Sequence, residues 1–114
     1  MKTIIAGSRT IKNYVTVLDA IIKSKFDITE VVSGTAKGVD ELGEVYAKIN
    51  NIPIKQFPAD WETHGRSAGF IRNSQMAIYA DALIAIWDGK SRGTEQMIKE
   101  AKKRKLAVFL YTIP

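Results

Sequence analysis

Residues 82–87 read Ala-Leu-Ile-Ala-Ile-Trp, six apolar residues with no polar break. A strand with one wet face alternates apolar and polar side chains, so a run without alternation marks a strand covered on both faces. Crossover helices packed on the two sides of a parallel sheet supply that cover. The rest of the chain has the matching rhythm. Short strands are expected at Thr3 to Ala6, at 29–33, at Ile52 to Phe57 and at Leu106 to Tyr111, with Pro53 near the start of the third, where an edge tolerates its missing N–H. Helical spacing sets Val15, Leu18, Ile21 and Ile22 on one face of 12–24. It does the same for Val39, Leu42, Tyr46 and Ile49 in 39–50, and for Met97, Ile98 and Ala101 in 94–104. Residues 67–79 form a further helix with a less regular face, and 58–66 reads as a loop. The order predicts one Rossmann-like α/β domain over 1–114: a doubly wound, mainly parallel sheet of about five strands with helices on both faces.

Right-handed crossovers bring every strand's C-terminal end to one sheet edge, where ligands of such sheets bind. The chemistry-bearing loops fall there. The first is Gly7-Ser8-Arg9-Thr10. The second is Ser33-Gly34-Thr35-Ala36-Lys37-Gly38-Val39-Asp40, and the third is Asp88-Gly89-Lys90-Ser91-Arg92-Gly93-Thr94-Glu95. Each combines glycine, a hydroxyl and a cation. Glycine lets the backbone approach a ligand, free N–H groups at a helix start face an anion, and hydroxyls with Arg or Lys complete a phosphate cage. Neither G-x-x-x-x-G-K-[ST] nor G-x-G-x-x-G occurs, which disfavours a P-loop NTPase or an ordinary dehydrogenase.

Several strings in this order resemble the SLOG superfamily: AGSRT at 6–10, VVSGTAKGVDELGEVYA at 31–47, FPADW at 57–61 and AGFIRNSQMAIYADALIAIWDGKSRGTEQMI at 68–98. That superfamily groups the Lonely Guy phosphoribohydrolases with the Rossmann-like domain of the DNA-processing protein A. The chain most resembles its small YspA- and YpsA-related members of bacteria and phages, long regarded as a domain of unknown function. The resemblance implies a Rossmann-like fold and a nucleotide or nucleotide-derived ligand. Lonely Guy enzymes carry an Arg-Lys pair and a P-G-G-x-G-T-x-x-E loop. Here Arg72 matches the arginine and Asn73 replaces the lysine; Gly93 and Thr94 match the glycine-threonine pair. Met97 stands at the glutamate's position and cannot take a proton, so Glu95 or Asp88 would have to replace it.

The ligand-contact set is therefore Gly7, Ser8, Arg9, Thr10, Ser33, Gly34, Ala36, Lys37, Gly38, Asp40, Asp60, Trp61, Arg72, Asn73, Asp88, Gly89, Ser91, Arg92, Gly93 and Thr94. Asp40 has two readings, a first-turn dipole partner or a contact to ribose hydroxyls. Trp61 either stacks on a base or caps the core. Trp87, Met76 and Met97 read as core. No cysteine and one histidine, His64, leave no metal site to expect, and His64 reads as a loop residue.

Three functions compete. The first is a sensor or sequestering module for a nucleotide or an ADP-ribose- or NAD-like molecule. The second is a hydrolase of N-glycosidic or phosphate bonds with Glu95, Asp88 or Asp40 as acid or base. Nucleic-acid binding ranks third, resting on the Lys99–Lys105 run, which otherwise is a solvated helix end, together with Arg9, Lys37 and Arg92. No cofactor beyond a nucleotide-type ligand is expected. A homodimer through 67–79 and 94–104 follows from the family likeness. The apolar stretch of the N-terminus, Ile4 to Ala6, is too short for a signal core or a span, so a cytoplasmic protein without membrane contact is expected.

Overall fold

The computed structural model describes residues 1–113. Five strands, β1 (Lys2–Gly7), β2 (Glu30–Ser33), β3 (Ile54–Gln56), β4 (Ala82–Trp87) and β5 (Ala107–Thr112), form one sheet in the spatial order β3-β2-β1-β4-β5. All four pairings are parallel. The helices are α1 (Tyr14–Ser24), α2 (Val39–Ile49), α3 (Trp61–His64), α4 (Ala68–Tyr79) and α5 (Arg92–Lys103). The Rossmann-like architecture read from the sequence is present, and the sheet is wholly parallel.

Strand alternation divides the core between the two faces. Ile4, Ala6, Val32, Leu83 and Ala85 pack with Met76 and Ala77 of α4 and with Met97, Ile98 and Ala101 of α5. Their neighbours Ile5, Val31, Ile84 and Ile86 pack with Val17, Ala20 and Ile21 of α1 and with Val39 and Ala47 of α2. Residues 82–86 are all 0% exposed, which is why that strand shows no alternation. Leu83, Ile84 and Ile86 each contribute about 1.5–3 kcal/mol of burial.

Several boundaries and faces differ from expectation. On α1, Val15 and Ile22 are 68% and 64% exposed, and the buried stripe is Val17, Ala20 and Ile21. The small Ala20 lets the helix lie close on the sheet, so the larger apolar residues rotate outward. Ile49, in the last turn of α2, is also exposed. The segment 58–66 is not a plain loop: Asp60 accepts the Thr63 N–H at 3.1 Å and starts α3, and a 3₁₀ turn (Gly65–Ser67) runs on into α4. Helix α5 begins two residues before the expected 94, because Ser91 caps it by accepting the Thr94 N–H. Trp87 is only half-buried, and its indole N–H donates to the Ser91 carbonyl at 3.0 Å. Among the described residues no helix is long and apolar enough to cross a membrane.

The strand order places the topological switch point between β1 and β4, since β2 and β3 continue to one side and β5 to the other. Helices diverge from that point, leaving a crevice beyond the carboxyl ends of the two strands.

Candidate functional site

A cavity of about 470 Å³ occupies this crevice. Such a volume suits a small molecule, for which pockets span roughly 300–1,000 Å³. The β1–α1 loop contributes Gly7, Ser8, Arg9 and Thr10 to its wall, and the β2–α2 segment contributes Ala36 and Asp40. From the β4–α5 segment come Asp88, Lys90, Ser91, Gly93 and Thr94, with Met97 from the second turn of α5. The fourth wall is the α3–α4 segment with Trp61, Arg66, Gly69, Phe70, Arg72 and Asn73. Four cations, Arg9, Arg66, Arg72 and Lys90, therefore face two carboxylates, Asp40 and Asp88.

Glycine shapes the crevice by close packing. A Cβ on Gly38, whose φ is +79°, would lie 2.6 Å from the carbonyl oxygens of both Ser8 and Arg9. Gly38 thus lets the start of α2 tuck under the β1–α1 loop; it supports the wall without lining it. A Cβ on Gly34 would lie 2.7 Å from both Arg72 Nη1 and Asp40 Oδ2, so this glycine leaves room for both side chains to pack against its backbone.

Arg72 is held in place by its own donors. Its Nη1 donates to the Gly34 carbonyl and its Nε donates to Asn73 Oδ1 at 3.0 Å. Burial pushes the guanidinium below its ordinary value; Asp40 pulls it back up, and Arg9 pushes it further down. Asn73 in turn donates to the Gly93 carbonyl at 3.2 Å and to Gln96 Oε1 at 2.8 Å. Asn73 thereby ties α4 to the start of α5, a role that needs an amide.

Asp40 is the buried acid of the cavity. Its Oδ2 accepts the Ala36 N–H at 3.1 Å. Burial raises its carboxyl to about 6, against the opposing pull of that hydrogen bond and of Arg72 and Arg9, while Glu44 adds to the rise. Asp88 is in the opposite condition. Its Oδ1 accepts the N–H groups of Ser91 at 2.9 Å and of Lys90 at 2.8 Å, and these hold the carboxyl below its usual range. The Ser8 hydroxyl is close enough to add slightly to that effect, yet the contact falls short of hydrogen-bond geometry. Ser8 Oγ is buried without a partner.

Other candidate residues lie off the cavity wall. Glu95 is exposed and pairs with Lys99 at 3.8 Å, and Met97 is the α5 side chain that faces inward at this level. Arg92, Lys37 and Gly89 are exposed and do not line the cavity. Asp60 is exposed and occupied as the α3 cap. Ser33 is buried; its hydroxyl donates to Glu44 Oε2 at 2.6 Å and accepts the Thr35 N–H at 3.1 Å. The Lys99–Lys105 run starts in the last half of α5 and lies at the opposite edge of the sheet. It begins about 10 Å along the helix from Arg92, at 1.5 Å per residue, and runs on toward the end of α5 remote from the strands' carboxyl ends. Arg66, Gly69, Phe70 and Lys90 are wall residues the sequence reading missed. Lys90 sat inside a motif already singled out. Gly69 and Phe70 sat inside the AGFIRN string, and Arg66 had no signal beyond its place between FPADW and AGFIRN.

The model of the YspA, cpYpsA-related SLOG family matches residues 1–64. The chain is also 34% identical over 118 residues to the Gene 61 protein of Mycobacterium phage D29, covering 95% of this chain and 94% of the phage protein. No solved structure gives a significant match.

Proposed function

The chain belongs to the YspA, cpYpsA-related SLOG family, and on that premise we propose that its cavity binds a nucleotide or nucleotide-derived ligand, ADP-ribose- and NAD-like molecules included. The protein acts as a sensor or sequestering module. The observation that carries this reading is the excess of cations over carboxylates in one concave site at the β1/β4 switch point. The start of α5 adds the backbone N–H of Gly93, the Thr94 N–H being taken by the Ser91 cap, and the unpartnered Ser8 hydroxyl adds a buried donor. Trp61 and Phe70, half-exposed on the opposite wall, offer faces for a base.

The test is native mass spectrometry of freshly purified protein with identification of the released small molecule, followed by calorimetry with nucleoside mono- and diphosphates. An unaltered nucleotide should be recovered. Arg72→Ala and Gly93→Val should each weaken binding at least 10-fold; normal ligand retention in both variants would refute the site.

One observation favours a second reading, hydrolysis of an N-glycosidic or phosphate bond. Asp40 lines the cavity with a carboxyl that exchanges its proton near neutral pH, whereas Glu95 faces away and Asp88 is held ionised by two N–H groups. Asp40 is then the acid or base. Product analysis after incubation separates the readings: free base or released phosphate, lost in Asp40→Asn, supports hydrolysis, and unchanged nucleotide supports binding alone.

A further inference from the structure

A second cavity of about 110 Å³ adjoins the first. The two share Arg9, Ala36, Trp61 and Arg72 as common walls, and the smaller one is closed by Gly34, Thr35, Pro58 and Ala59. Both arginines therefore stand at the junction. Arg72 is fixed there by the Gly34 carbonyl and Asn73 Oδ1, and its Nη2 edge lies toward Gly69, on the side of the large cavity. Arg9 makes no ion pair or side-chain hydrogen bond among the described residues. Two guanidinium groups that repel each other converge on one place, and a single carboxyl, Asp40, lies beside them. The donors of the α5 start, by contrast, wall only the large cavity. One phosphate can serve the α5 start or the junction. A chain of two can run on to the second.

We infer that the ligand is a nucleoside diphosphate, bare or extended by a pentose, whose diphosphate crosses the Arg9–Arg72 junction and whose end group enters the small cavity. This rests on the nucleotide-binding reading above and narrows it. The small cavity has the room of about four waters at roughly 30 Å³ each. That suits a terminal phosphoryl group or a sugar ring. Planar guanidinium forks match phosphate oxygens in pairs. Thr35, on the wall of the small cavity, is a β-branched residue with φ of +63°, a strained conformation held by the Ser33 hydroxyl.

Calorimetry on the purified full chain with a nucleoside monophosphate, the matching diphosphate and the diphosphate extended by ribose tests the inference. The diphosphate should bind at least 10-fold more tightly than the monophosphate. Arg9→Ala, an exposed loop change, should bring that ratio close to one. Ala59→Phe, which fills the small cavity alone, should do the same, with an unchanged melting temperature showing that the fold persists. A ribose-extended ligand as tight as the bare diphosphate places the sugar in the small cavity; a weaker one places the terminal phosphoryl there. Equal affinities for mono- and diphosphate, or a ratio untouched by Ala59→Phe, would overturn the inference while leaving nucleotide binding intact. No binding of either compound would overturn nucleotide binding itself.

Discussion

Asp40→Asn should make the protein more stable above neutral pH and leave it nearly unchanged in acid. In the unfolded chain the carboxyl ionises near 3.8; in the folded protein burial raises it to about 6. Between those values the folded state keeps a proton that the unfolded state has lost. Stability from this group is therefore greatest below about pH 4, declines as pH rises through 6, and is fully lost above about pH 7. A rise from 3.8 to about 6 corresponds to about 3 kcal/mol at 1.36 kcal/mol per pH unit. Asparagine can still accept the Ala36 N–H through its carbonyl oxygen, but it loses the carboxylate's attraction to Arg72 and Arg9, which returns part of the gain. The expected net gain at pH 8 is about 1–3 kcal/mol, or roughly 4–13 °C in melting temperature for a domain of this size. Urea denaturation of both proteins at pH 4.5, 6, 7 and 8 reads this directly. The difference in unfolding free energy should grow with pH and level off above 7. A difference that stays flat from pH 4.5 to 8 would refute the reasoning, because it would mean that Asp40 ionises alike in the folded and unfolded chains. A stability cost retained at the ligand cavity is what a functional carboxyl would impose.

Gly34→Ala should be far more damaging than an exposed Gly→Ala change, since its Cβ would stand 2.7 Å from both Arg72 Nη1 and Asp40 Oδ2. Loss of the charged Arg72–Gly34 hydrogen bond should cost about 1.5–3 kcal/mol in denaturant midpoint analysis and weaken nucleotide affinity at least 10-fold in calorimetry. Glu95→Gln should leave ligand affinity, and any base release, within twofold of the parent protein, because the side chain is exposed and paired only with Lys99; a large loss in either assay would reinstate it as an acid–base group. Asn13→Ala should lower stability by about 1 kcal/mol through loss of the α1 cap to the Val15 N–H, with ligand affinity unaffected.

Much of the fold was legible because it rests on short-range patterns. The unbroken run at 82–87 announced a strand covered on both sides, and it is an inner strand of the sheet, between β1 and β5. Face assignments were less secure where size and burial part company. On α1 the periodic stripe of large residues pointed outward at Val15 and Ile22, because contact distance to the sheet favours the small Ala20. The α3 segment was hidden because four residues carry too little periodicity to reveal a helix.

By itself the sequence determined that glycine, hydroxyl and cation residues would gather at one edge, because strand–helix alternation and right-handed crossovers leave no other place for those loops. It also contained the phase of Glu95 against Met97: two residues along a helix turn a side chain by about 200°, so only one of them can face the cavity. The tertiary structure alone decided what the gathered residues do to one another. Asp40 and Arg72 come from different elements and lie near one another where Gly34 leaves room for both, and the proton affinity of Asp40 depends on its burial there. Ionisation answers to the dielectric and the charges within a few ångströms, and those neighbours are assembled by long-range packing that no local pattern in the chain encodes.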